Sequence, residues 1–285
     1  MSNDNIKVTV YSPESNIRHP GKLLSEMISE LKPSHELGVR LANRNIKALY
    51  RQSFLGYFWS IAPPLITSLV WIFLRDSAVI NIEDPGVPYP LFVLLGTMLW
   101  QIFTESVQAP LKAVTSSRSM LTKINFPRTA LVLSGLYETF FNTLIKIVLI
   151  ISFLIFFQYM PDYHGILSLL GILALIVLGS CIGLLLTPIG MLYQDIQRGI
   201  AVILQFAIYL TPVIYPGPKS GIAATLMQFN PVAPILTTTR NMILGQELTS
   251  ISEFITVSII AFVFFIVGLF LYRLAMPIII ERVGS

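Results

Sequence analysis

The sequence holds one cysteine, three histidines and only 12% charged residues among 285. Cys181 sits inside an apolar stretch, so an intrachain disulfide is excluded and the residue reads as a small packing group. His19, His35 and His164 are scattered and give no metal-ligand spacing. No phosphate-binding loop is present. The Gly21-Lys22 pair lacks the preceding glycine and the following Ser or Thr that a nucleotide cradle needs. No Ser/His/Asp or Glu/His set falls on one face of an apolar stretch. The net charge is +4, with no basic soluble module of the kind that binds nucleic acid. The first apolar stretch follows the mostly polar residues 1–53 and exceeds the core of a cleavable signal, about 7–15 residues.

What the chain does have is apolar length. It is 54% hydrophobic with a mean hydropathy of +0.73, and a soluble domain carries about twice its charged fraction. Six stretches, near 54–74, 88–111, 129–159, 166–193, 199–215 and 254–273, have about the 20 residues that a bilayer core of roughly 30 Å requires. These predict an all-α polytopic membrane protein with six transmembrane helices. Three parts are expected: a cytoplasmic N-terminal extension (1–35), an amphipathic interface helix (36–53) and the transmembrane domain (54–285).

Basic residues set the orientation. Arg40, Arg44, Lys47 and Arg51 precede the first span, and Lys112, Arg118, Lys123 and Arg128 follow the second. Arg198, Arg273 and Arg282 continue the same side. Glu83, Asp84 and Asp162 occupy the opposite loops. Six crossings therefore leave both termini cytoplasmic, as the positive-inside rule asks. Arg75, Lys219 and Arg240 are the exceptions. A seventh crossing would place Arg273 and Arg282 outside, so 217–245, broken by Pro231 and Pro234, is expected as an outer re-entrant helical hairpin.

Within 36–53 the cations recur at spacings of four, three and four, which stacks them on one helical face. Val39, Ala42, Ile46 and Leu49 fall opposite. Such a helix suits the headgroup plane, either as a topogenic signal alone or as a platform for a cytoplasmic partner. Ahead of it, Ile6 to Tyr11 alternates like a short strand and 23–31 suits a short helix. Charges inside the spans are costly and must pair or face water. Glu138 and Lys146, eight residues apart, lie on nearly one face, and Glu105 lies toward the cytoplasmic end of span two. They read as gate residues, as an interhelical pair, or as Lys146 snorkelling to a headgroup. Arg75-Asp76 is expected as a local ion pair.

Several segments in order resemble the permease subunit of ATP-binding-cassette exporters for polysaccharides, O-antigen and teichoic acids. Leu55-Gly56-Tyr57-Phe58-Trp59 followed by Pro63-Pro64 resembles that family's approach to its first span. Lys123-Ile124-Asn125-Phe126-Pro127-Arg128 resembles its cytoplasmic segment before span three. Asn230-Pro231 with Arg240 and Gly245 resembles its outer hairpin, and Tyr272-Arg273 with Glu281-Arg282-Val283 its C-terminal signature.

The resemblance implies a homodimeric channel in the bacterial cytoplasmic (inner) membrane, with two copies of a separate ATPase subunit docked beneath it. ATP and Mg would be bound by that partner, with no cofactor or catalytic residue in this chain. The implied coupling surface comprises Arg40, Arg44, Lys47, Arg51, Arg118, Lys123, Phe126, Pro127, Arg128, Asp195 and Arg198. Channel or gate candidates are Tyr57, Trp59, Glu138, Lys146, Tyr209 and Tyr215, where aromatic faces suit sugar rings. Asn230, Pro231 and Arg240 would shape the outer hairpin. The implied cargo is a lipid-linked glycan. Two alternatives from other classes stand beside it: an intramembrane lipid-linked sugar transferase, with Glu83-Asp84 as its nearest acidic pair, and an ATPase-independent carrier.

Overall fold

The computed structural model describes residues 20–51, 54–121, 126–159, 164–217 and 221–284, and every described element is helical. The expected strand at 6–11, Lys123, Asp162 and Lys219 lie outside the described residues. In chain order the helices are α1 (Pro20–Arg51), α2 (Phe58–Asp76), α3 (Tyr89–Ser116), α4 (Arg118–Leu121), α5 (Thr129–Phe156) and α6 (His164–Leu192). There follow α7 (Gln194–Ala207), α8 (Ile222–Gln228), α9 (Val232–Leu244) and α10 (Ile251–Gly284).

Among the described residues, five helices are long and apolar enough to cross a membrane: α2, α3, α5, α6 and α10. The stretch expected as a fifth crossing, 199–215, is built differently. α7 has 14 residues, about 21 Å of rise, and runs into a 3₁₀ turn at Ile208–Leu210 and then a buried irregular segment, 211–214. It is a broken stretch, and it is not among the helices long and apolar enough to cross. The expected hairpin at 217–245 consists of α8 and α9. Gly245, in the left-handed region at φ 59°, ends α9, and the Gln246 N–H bonds back to the Asn241 carbonyl.

α3 is the axis of the fold. Its apolar window is 78% buried, against 17% for α2 and for α10. Helices in lipid gain little from hydrophobic burial against one another, so close backbone contact carries the packing. Gly179 and Gly183 of α6 let that helix rest on the α3 backbone at Phe103 and Val107, where a Cβ would collide with carbonyl oxygens. Gly135 of α5 approaches the Ala109 carbonyl in the same way.

α1 departs from the expected boundary at residue 36. It is one helix from Pro20 through Pro33 to Arg51, and it packs along α5. Ser34 Oγ and Thr129 Oγ1 are 2.7 Å apart, as are His35 Nδ1 and the Tyr137 hydroxyl. Leu41 and Ala42 are buried, and Gly38 fits against Leu133. This packing outweighs the hydrogen bond that Pro33 removes.

Two polar ties fix the bundle. In the middle, Lys146 of α5, wholly buried, pairs with Glu105 Oε2 of α3 at 2.7 Å. Elsewhere in the bundle, Arg240 of α9 is buried as well. Its Nη1 donates to the carbonyls of Pro212 and Val213 at 2.9 and 3.1 Å, and its guanidinium lies 3.7 Å over the Phe92 ring. The sequence placed Arg240 among outward exceptions to the charge rule. It is instead an interior cation whose Nη1 is satisfied by carbonyls of the irregular segment after α7. Gly96 opens the space, since a Cβ there would meet the Val213 carbonyl. Arg75 likewise lies over the Tyr89 ring at 4.3 Å, a cation–π contact in place of the expected pair with Asp76.

These ties yield two expectations, both read by unfolding of the purified protein in detergent. Arg240→Met leaves two buried carbonyls without donors, at about 1–3 kcal/mol each, and Arg240→Lys recovers part of the loss. Lys146→Met strands Glu105 and costs about 3–5 kcal/mol, most of it restored by adding Glu105→Gln. Unchanged midpoints in the single variants would overturn these assignments.

Candidate functional site

Apart from the main core the bundle carries a small second one. Leu41 of α1, Leu121 of α4, Leu131 and Val132 of α5, Leu184 and Met191 of α6, and Tyr272, Met276 and Ile279 of α10 are buried together. Phe126 packs against it. The C-terminal helix is locked in by polar contacts: the Tyr272 hydroxyl donates to the Arg128 carbonyl at 3.2 Å, and Arg273 pairs with Glu30 of α1 at 3.1 Å. The core therefore joins the basic helix, the loop before α5 and the tail into one body.

On that body the expected coupling residues divide. Arg40, Arg44, Lys47 and Arg51 are exposed along α1, and Arg44 also bonds the Asn45 side chain. Arg118 opens α4, while Pro127 and Arg128 precede α5. Asp195 is exposed in the first turn of α7, where a carboxylate suits the helix dipole. Arg118 and Arg198 come together. Both line a groove of about 530 Å³ with Gln108, Thr115, Gln194 and Gln197, over a floor of Gly190 and Met191. Neither guanidinium has a hydrogen-bonding or ion-pair partner among the described residues. Two segments 80 residues apart in the chain thus present one basic groove.

A second cavity, of about 420 Å³, lies between α1, α3 and α5. Glu105, Glu138, Lys112, Asn45, Asn142 and Thr139 supply its polar lining. Glu138 Oε1 accepts a hydrogen bond from Asn45 Nδ2 at 2.7 Å, which ties α1 to α5. Glu138 and Lys146, placed on one face by their spacing, do not meet: Lys146 turns to Glu105, away from any open surface. Of the paired candidates, only Glu138 reaches a cavity.

The aromatic candidates sit on outward faces. Tyr57 and Trp59 are exposed at the start of α2, with the Tyr57 ring 6.0 Å from that of Phe141. Tyr209 is exposed beside Trp71, ring centroids 6.2 Å apart, and the Tyr215 hydroxyl donates to the Tyr209 carbonyl at 2.7 Å. Asn230 joins the hairpin to the broken stretch. Its Nδ2 reaches the Leu210 carbonyl at 3.1 Å and Thr211 Oγ1 at 2.9 Å, while its Oδ1 accepts the Val232 N–H, with Pro231 between. Gln101, Tyr89 and Asn45 were not singled out from the sequence; uncharged polar residues inside apolar runs were the signal available.

The family profile described as ABC-2 type transporter matches residues 38–244. The chain is similar to the O-antigen export system permease protein RfbA of Klebsiella pneumoniae, 26% identical over 258 residues, spanning 85% of this chain and 95% of the relative. RfbA of Myxococcus xanthus is 26% identical over 214 residues, 74% of this chain and 81% of the relative. The polysialic acid transport protein KpsM of Escherichia coli is 20% identical over 234 residues, 81% and 90% of the two chains. With five long apolar helices among the described residues, α3 one of them, and a family match reaching from α1 to the end of α9, the chain belongs to the membrane family of ABC-2 type transporters.

Proposed function

We propose that this chain is the channel-forming permease subunit of an ATP-driven exporter that moves a lipid-linked polysaccharide across the cytoplasmic membrane. The observation that carries the reading is the similarity, over most of the chain, to permeases named for O-antigen and polysialic acid export. Two copies form the channel, and two copies of a soluble ATPase subunit bind ATP and Mg beneath it. With α7 and its 3₁₀ turn as a broken crossing, both termini and all the clustered cations lie in the cytoplasm, in keeping with the positive-inside rule.

The mechanical argument starts from the cytoplasmic core. A soluble motor acts on a membrane channel through polar elements rigidly joined to the spans. α1, α4, the 126–128 segment and the start of α7 have that character here. The groove shared by Arg118 and Arg198 takes an acidic surface of the ATPase, so that one contact grips both connecting segments. Transport then requires no chemistry from this chain. Its task is to hold a polar path through apolar helices, and exposed Tyr57, Trp59 and Tyr209 offer flat faces for passing sugar rings.

Purification in mild detergent is expected to bring down a stoichiometric ATPase subunit with a dimer of this chain. A clean permease with no nucleotide-binding partner would sink the reading. Reversing both charges in Arg118→Glu/Arg198→Glu is expected to lower ATP-coupled glycan export roughly tenfold, the scale of about 1.4 kcal/mol of lost contact, with membrane insertion intact. Full export from that variant would remove the groove from the coupling surface.

A further inference from the structure

α2 carries adjacent prolines, Pro63 and Pro64, within its second turn. In a helix the Ser60 carbonyl would accept from residue 64, or from residue 63 in a 3₁₀ turn. Neither proline has an N–H to give, so both local donors are absent at this one carbonyl. With both local donors gone, the group must be satisfied from outside its own helix. The neighbour is α3. Gln101 Nε2 donates to the Ser60 carbonyl at 3.3 Å and to Glu105 Oε1 at 3.0 Å. Glu105 is in turn the partner of Lys146.

The orientation of this amide follows from its partners. Ser60 offers a carbonyl and Glu105 a carboxylate, both acceptors, so the nitrogen must face them. The consequence is that Gln101 Oε1 points into the protein, buried and with no donor. An unpaired buried acceptor costs about 1–3 kcal/mol. The clamp therefore holds α2 while carrying an uncompensated group of its own. One helical turn further on, Ser68 Oγ donates to the Pro64 carbonyl at 2.7 Å and also contacts Thr97 Oγ1 at 2.8 Å. The prolines thus separate the longer part of α2, tied to α3 through Ser68, from its first turn, where Gln101 takes the Ser60 carbonyl, Ala62 is buried and the Tyr57 ring lies beside that of Phe141.

We propose that Gln101 is a positioning residue for transport: it latches the N-terminal half of α2 to α3 across the Pro63–Pro64 hinge, and the Glu105–Lys146 pair holds the latch in place. Release frees Oε1 to find a donor, which offsets the bond surrendered at Ser60. α2 is suited to swing, because most of its surface contacts no other part of the chain. The residues before the hinge include Tyr57 and Trp59, so the motion carries the exposed aromatic face with it. The structural arm of this proposal stands without the exporter reading, and only its transport readout rests on that reading.

The test uses the full chain with its ATPase partner in lipid nanodiscs, spin-labelled at Phe58→Cys and Leu144→Cys, two exposed positions on α2 and α5. Distances are measured by pulsed electron resonance, and export is compared with basal ATP hydrolysis. Gln101→Leu is expected to add a distance population absent from the complex without that substitution and to lower export several-fold at unchanged basal hydrolysis. Pro64→Ala restores an N–H for the Ser60 carbonyl, so Gln101→Leu/Pro64→Ala is expected to lose the added population and to recover export. An unchanged distance distribution in Gln101→Leu overturns the latch. So does a failure of Pro64→Ala to rescue, whether the defect is in distance, export or folding. Restored distances without restored export would retain the latch as structure and remove it from transport.

Discussion

Inside a membrane each backbone N–H and C=O must find a partner within the protein, and this constraint explains where the polar side chains of this chain sit. The fold contains broken helices: the double proline in α2, the 3₁₀ end of α7 and the turn between α8 and α9. Two of these breaks leave carbonyls that a side chain from another element takes up. Gln101 serves the Ser60 carbonyl before the prolines, Arg240 and Tyr89 the segment after α7, and Asn230 ties the α8–α9 turn to the Leu210 carbonyl at the end of the 3₁₀ turn. Gly96 matters for the same reason, since the irregular segment must approach α3 closely enough for Arg240 to reach it.

This division between seated and loosely held elements follows from the packing. α3, α6 and α9 interlock through glycine contacts and a continuous apolar core, while α2 and α10 keep broad apolar faces outward. Lipid covers such faces at little cost, and so does a second copy of the chain. The helices that contribute least to the core are also those that carry Tyr57 and Trp59 or the C-terminal anchor. Low burial and polar contact at defined points are what a moving wall requires; dense packing around α3 is what a fixed frame requires.

The spans around α2, α3, α5, α6 and α10 were legible in the sequence because charge-poor length alone marks a crossing. The stretch at 199–215 has the same hydropathy but is broken near Thr211, a feature set by what surrounds it. Arg240 shows the limit most clearly. A charge-counting rule reads a lone arginine near an outer loop as solvent-facing, whereas the structure uses it to satisfy two carbonyls that the sequence does not reveal as free. Lys146 has its counter-ion 41 residues away in sequence, on another helix: an interhelical pair was one of the readings its charge allowed, but spacing could not name Glu105 as the partner. The basic face of α1 was readable from its period. Its seat on α5 was not, since Ser34, His35 and Asn45 give no apolar pattern.

The union of these contacts bears on how force enters the bundle. A displacement of α1 acts on α5 through Asn45 and Glu138, and on α10 through Glu30 and Arg273. α5 is joined to α3 through Lys146 and Glu105, and Glu105 meets Gln101 at the α2 hinge. A chain of contacts is not by itself a transmission path, because a wholly rigid assembly carries no signal that one part can read differently from another. Among these links the Gln101 amide carries a buried oxygen without a donor, and the latch proposed above gives it a second arrangement to adopt. Rigid links on either side of such a two-state element concentrate displacement at that point. The double proline puts the most easily bent backbone of α2 beside it.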